Sequence, residues 1–125
     1  MEYTTDVNES IGICTIYVTG HLKRPDDSMV LQQLARNIDE EHDIQKFLID
    51  MTNAEIIGEP IDALQAGIVP IDPSFKMSTH RTALVYSKRT ADNTLMEDTL
   101  AKRGYNVRVL YNIDEANKWL MEKEE

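Results

Sequence analysis

Ser87, Lys88, Arg89 and Thr90 stand in a row directly after the apolar run Ala83-Leu84-Val85-Tyr86 and just ahead of a stretch with helical spacing. Two hydroxyls and two cations at a helix start can hold an anion, because the first-turn N–H groups have no intrahelical partner and the positive end of the helix dipole lies there. The same four residues also suit an ordinary solvated loop. Asp50 closes another apolar run, Lys46-Phe-Leu-Ile-Asp-Met51, with Thr52 and Asn53 behind it. A carboxylate there can act as a base or phosphoacceptor, or it can cap the loop that follows by bonding its own backbone. Glu59 precedes Pro60, a residue that helices tolerate in their first turn, and it would place a favourable negative charge at a helix start. Asp50, Thr52, Asn53, Glu59, Ser87, Lys88, Arg89 and Thr90 are therefore the candidate binding residues.

Other chemistry finds little support. His21, His42 and His80 lie far apart, and no His or Cys pair has metal-ligand spacing, so no metal site is expected and each histidine is read as a surface residue. There is no phosphate-cradling glycine loop, dinucleotide fingerprint or Gly-x-Ser-x-Gly elbow, and no cofactor is expected. A receiver-type phosphorylation site needs acids after the first core strand and a lysine after the last. Gly20-His21 and Asn112-Ile113 stand in those places. Binding is thus expected in preference to catalysis. The net charge of −9, from 22 acidic against 13 basic residues, repels a phosphate backbone and argues against nucleic acid. The acidic clusters Asp39-Glu40-Glu41 and Glu122 to Glu125 read as solvated helix ends. Cys14, the single cysteine, sits in an apolar run and is expected to be a buried, inert thiol in a reducing, cytoplasmic setting. Met1 to Asp6 has neither a basic region nor an apolar core, and no apolar run approaches the roughly 18 residues of a membrane span, so neither export nor membrane insertion is expected.

The elements that must position these residues alternate along the chain. At 125 residues, a single domain over 1–125 is expected. Tyr3 to Val7 and Ile11 to Thr19, separated by Asn8-Glu9-Ser10, predict an opening hairpin. Pro25 with Asp26 and Asp27 starts a first helix whose stripe is Val30, Leu31, Leu34 and Ile38. Lys46 to Met51 predicts a strand. A second helix starts at Pro60, carries Ile61, Leu64 and Ile68, and is closed by Pro70 and Pro73. Arg81 to Ser87 predicts a strand covered on both faces, with Ala83 to Tyr86 among the least exposed residues. Thr90, or Thr94 with Glu97 in a capping box, starts a third helix that Lys102-Arg103-Gly104 ends. Asn106 to Tyr111 alternates as a strand near an edge, and Asn112 with Glu115 caps a last helix with the stripe Ile113, Ala116, Trp119 and Leu120. The order β-β-α-β-α-β-α-β-α implies an α/β domain. It should have a mixed, mostly parallel five-stranded sheet, about four helices and right-handed crossovers that put the helices mainly on one face. The carboxyl edge, with loops Gly20 to Arg24, Asp50 to Ile57 and Ser87 to Thr90, is where a ligand is expected.

Four stretches, ending in Val18-Thr-Gly-His-Leu22, Phe47-Leu-Ile-Asp50, Arg81 to Ser87, and Gly104 through Leu120, together span almost the whole chain, and the pattern resembles the SpoIIAA-like branch of the STAS superfamily. The resemblance implies a cytoplasmic, non-enzymatic module that works by protein contact or ligand sensing, and some members of that branch look like the CRAL-TRIO lipid-binding domain. In anti-sigma-factor antagonists the strand ending in aspartate leads to an Asp-Ser-Ser-Gly motif whose first serine is phosphorylated. Laying Asp50 on that aspartate puts Gly58, Glu59 and Pro60 in the places of Asp, Ser and Ser, so the phosphoacceptor is missing.

A regulatory, protein-binding module of STAS type is therefore the leading expectation. The alternative is a domain for a small apolar or anionic ligand, including lipid, which requires an enclosed apolar pocket of at least about 300 Å³. The apolar linkers Ile56-Ile57 and Ile68-Val69-Pro70-Ile71, with helices on one side, also suggest a homodimer.

Overall fold

The computed structural model describes residues 1–58 and 80–122. In chain order the elements are β1 (Glu2–Asn8), β2 (Ile13–Lys23), α1 (Asp26–His42), β3 (Lys46–Ile57), β4 (Arg81–Val85), α2 (Ala91–Lys102), β5 (Val107–Leu110) and α3 (Ile113–Met121). The expected α/β domain is present, with a five-stranded sheet in sequential order: β1 antiparallel to β2, the other neighbours parallel. Three helices stand among the described residues. The helix expected from Pro60, with the linker 68–71 and the acids at 123–125, lies outside them.

Alternation along the strands decides the layers. Cys14, Ile16, Val18 and Leu22 on β2 share a face with Phe47, Ile49 and Met51 on β3, and α1 and α2 cover that face through Leu31, Ala35, Ile38, Met96 and Leu100. Each fully buried side chain of this size stabilises the fold by about 1.5 to 3 kcal/mol. The opposite face, from Ile13, Leu48, Ala83 and Val85, is covered by α3 through Ala116 and Leu120. Two of the three described helices, α1 and α2, thus share one face, and α3 lies on the other. The last helix, α3, follows β5 at the edge of the described sheet and packs on the other side.

Several expectations need correction. Val30 is 45% exposed, and the α1 stripe is Leu31, Ala35 and Ile38, at intervals of four and three, with Leu34 half-buried beside it. Thr90, not Thr94 with Glu97, caps α2: its hydroxyl accepts from the Asn93 N–H at 3.2 Å. Thr94 donates to the Thr90 carbonyl, and the Glu97 carboxylate accepts from the Val109 N–H, tying α2 to β5. Gly104 adopts a left-handed φ of +87° past the end of α2, as expected of a helix stop. Trp119 is only half-buried, and the guanidinium groups of Arg81 and Arg108 lie 5.8 and 5.9 Å from its ring centre. Leu84 is half-buried between the well-buried Ala83 and Val85. His80 is a core residue, 3% exposed, stacked on Phe47 and bonded at 2.8 Å to Asp39 of α1. A carboxylate supplied by α1 is what makes that burial tolerable.

The largest difference concerns two loops. Of the expected loops Gly20 to Arg24 and Asp50 to Ile57, the residues through Lys23 and Ile57 are not connecting loops but the second halves of β2 and β3, paired in parallel from Thr19 with Asn53 to Lys23 with Ile57. Leu22, Ala54 and Ile56 keep facing the core, and Gly20 supplies the left-handed φ of +82° that the strand needs there. β4 accompanies β3 only as far as Asp50.

Candidate functional site

The pairing step from Tyr17 to Thr19 on β2 corresponds to the step from Asp50 to Asn53 on β3, so β3 carries one extra residue there. Asp50 holds this bulge. Its Oδ1 accepts from the Thr52 N–H at 3.0 Å and from the Thr52 hydroxyl at 2.6 Å. That is a local backbone cap, and Asn53 follows as the partner of Thr19.

Beyond the end of β4 the chain turns through Ser87 to Arg89 into Thr90 and α2, leaving a cavity of about 360 Å³ between this turn and the second half of β3. Ser87, Lys88 and Thr90 line it. Arg89 does not, because its guanidinium stacks on the Tyr111 ring at 4.6 Å. Asp50, Thr52 and Asn53 flank lining residues Met51 and Ala54 without lining the cavity themselves, and Glu59 is outside the described residues.

The core of the site is a group the candidate residues did not include. Arg24 leaves the end of β2 and is 4% exposed. Its Nη2 donates to the Tyr86 hydroxyl at 2.9 Å and to Asn93 Oδ1 at 2.6 Å. Asn93, 3% exposed in the first turn of α2, donates its own amide to the Lys88 carbonyl at 3.4 Å, which leaves Oδ1 to face Arg24. Burial pushes the Tyr86 hydroxyl pKa above its ordinary value, against the lowering effect of the Arg24 charge, so the phenol stays protonated at neutral pH. Its oxygen accepts from Arg24 while its own proton remains available to donate.

Electrostatically the cluster is unbalanced. An arginine carries its charge at every accessible pH, yet its hydrogen-bond partners are neutral oxygens, and no carboxylate pairs with it among the described residues. Lys88 and the N-terminal end of α2 add positive potential to the same cavity. Of the two acids among the described lining residues, Glu55 is turned to His21 at 3.1 Å, and Asp92 sits in the first turn of α2. The lining contains no histidine or cysteine, and nowhere among the described residues do three His, Cys, Asp or Glu side chains gather around a metal-sized space. An apolar cavity beneath α1 and α2, walled by Leu31, Phe47, Leu84 and Met96, measures about 80 Å³. No described helix is long and apolar enough to cross a membrane.

Sequence reasoning named the Ser87 to Thr90 turn but missed Arg24, Tyr86 and Asn93. One signal was present: an asparagine in the first turn at the spacing of the buried Met96 and Leu100, so that it faces inward when Thr90 is the cap. Arg24 was within a segment named as a loop, and nothing local shows that its side chain spans to the end of β4. No protein-family model matches the chain, and no curated protein matches it.

Proposed function

We propose that this chain is a non-enzymatic binding module whose ligand presents an anionic group to the cavity at the carboxyl edge of β3 and β4. The observation that carries the reading is the buried charge of Arg24, held in place by the neutral Tyr86 and Asn93 and forming no ion pair with a carboxylate among the described residues. A buried ion without a counter-ion costs several kcal/mol, and a ligand anion recovers that cost on binding. The cavity's place at the strand ends is where open parallel sheets bind ligands. A lipid ligand fits less well, since the apolar cavity of about 80 Å³ falls short of the roughly 300 Å³ that such a pocket takes.

The resemblance to the SpoIIAA-like STAS branch belongs to the same proposal. A mixed sheet in sequential order with an antiparallel first strand supports it, and a regulatory module whose partner binding depends on ligand occupancy follows from it. Without a serine at position 59, phosphorylation at that place is not part of the scheme. Thermal melting in a panel of phosphate, sulfate, acetate and citrate, at constant ionic strength, tests the anion reading. Saturable stabilisation by at least one anion, absent in Arg24→Met, supports it, and identical melting in all four anions with both proteins rejects it.

A further inference from the structure

The cavity runs along the backbone edge of β3 and does not lie on one face of the sheet. Ala54 and Ile56 face the α1 side and Glu55 the opposite side, yet all three line it. From Met51 to Ile57 that edge has no neighbouring strand among the described residues, because the β3–β4 pairing stops at Asp50 and Val85. The Ile57 carbonyl accepts from the Arg24 N–H on the β2 side at 3.0 Å. Since the N–H and C=O of one strand residue point the same way and alternate between neighbours, those of Ala54 and Ile56 are directed into the cavity. A strand edge that no described strand pairs with and a buried cation without an ion-pair partner among the described residues are independent features, and one class of ligand satisfies both.

Resting on the anion reading above, we infer that the cavity takes the free carboxyl terminus of a peptide bound in extended conformation. Its main chain pairs with the edge at Ala54 and Ile56, and its terminal carboxylate meets Arg24, the Tyr86 hydroxyl, Lys88 and the N-terminus of α2. Edge addition supplies affinity that does not depend on peptide sequence, while the carboxylate fixes register and direction. The net charge of −9 disfavours polyanions at long range and leaves a ligand with a single negative terminus as the better match.

The test uses the full chain and three pools of random pentapeptides, fluorescein-labelled at the amino end and followed by fluorescence anisotropy. One pool ends in free carboxylates, one in carboxamides, and one in carboxylates with every backbone amide N-methylated. The free-acid pool is expected to bind saturably, and each of the others about tenfold or more weaker, the effect of losing a charged hydrogen bond or the main-chain pairing. Ala54→Pro, which removes an edge N–H, should weaken the free-acid pool while its melting shows it folded. The N-methylated pool gives the same information without changing the protein. If N-methylated acids bind as tightly as the free-acid pool, or if acetate stabilises the chain while no peptide binds, the peptide inference is overturned and the anion reading stands. Equal binding of acids and amides overturns both.

Discussion

Replacing Arg24 by methionine separates a structural arginine from one kept for a ligand. The substitution removes two hydrogen bonds from a charged donor, at 2.9 and 2.6 Å, and the placement of the guanidinium 5.5 Å from the Tyr86 ring centre. Those contacts are together of the order of 4 to 7 kcal/mol. Against them stands the desolvation of a guanidinium that is 4% exposed, a cost of several kcal/mol with no carboxylate among the described residues to offset it. The two sums nearly cancel, so ligand-free Arg24→Met should lie within about 2 kcal/mol of the wild type, on either side. Urea unfolding followed by the fluorescence of Trp119, the only tryptophan, measures this directly. With a stabilising anion at about 100 times its dissociation constant, the wild type should gain about 2.7 kcal/mol and the variant nothing. A loss of about 3 to 5 kcal/mol in the ligand-free variant is the signature of a broken buried ion pair. That result would mean the charge is already compensated within the chain, and the reason for invoking a ligand anion would disappear.

Three further outcomes are expected. Leu120→Ala should cost about 2 to 5 kcal/mol, and Trp119→Ala less than Leu120→Ala, because Leu120 is fully buried and Trp119 is half-exposed beside two arginines; paired denaturation curves give the order. Asp50→Ala should cost about 1 to 3 kcal/mol through loss of the Thr52 bonds at the bulge, yet leave anion binding unchanged in calorimetry, since Asp50 does not line the cavity. Burial, with a smaller contribution from Asp6, pushes the Cys14 thiol from 9.0 up to about 11. The unfolded chain releases that proton first, so the thiol's contribution to stability is intact below pH 9.0 and is lost as pH rises to about 11. Relative to Cys14→Ala, the wild type should therefore lose stability across that window, and parallel curves for the two proteins would contradict the assignment.

Much of the fold was legible because its signals are local. The β-branched hairpin, the Asn112 cap, the Gly104 stop and the apolar strand before Ser87 each state their element within a few residues. What was not legible depends on tertiary pairing. Met51 to Ile57 looks like a polar loop because Thr52, Asn53 and Glu55 interrupt the apolar pattern, but β2 recruits it as a strand with a bulge that absorbs the break in alternation. His80 looks like a surface histidine until Asp39 and Phe47, both distant in sequence, are placed beside it. The site divides in the same way. Ser87, Lys88 and Thr90 are contiguous and were readable as an anion-binding turn, whereas Arg24, Tyr86 and Asn93 converge from β2, the end of β4 and α2.

The central claim is that the Arg24 cavity is an anion site, and the most direct measurement is an NMR titration of ¹⁵N-labelled full-length chain with sodium acetate against sodium chloride at matched ionic strength. Saturable shifts are expected at the Arg24 side-chain Nε–H and at the backbone amides of Lys88 to Asn93, with the amides of β1, on the far edge of the sheet, unmoved. Shifts that grow linearly with salt and are the same for both anions, or that cluster away from Arg24, would contradict it.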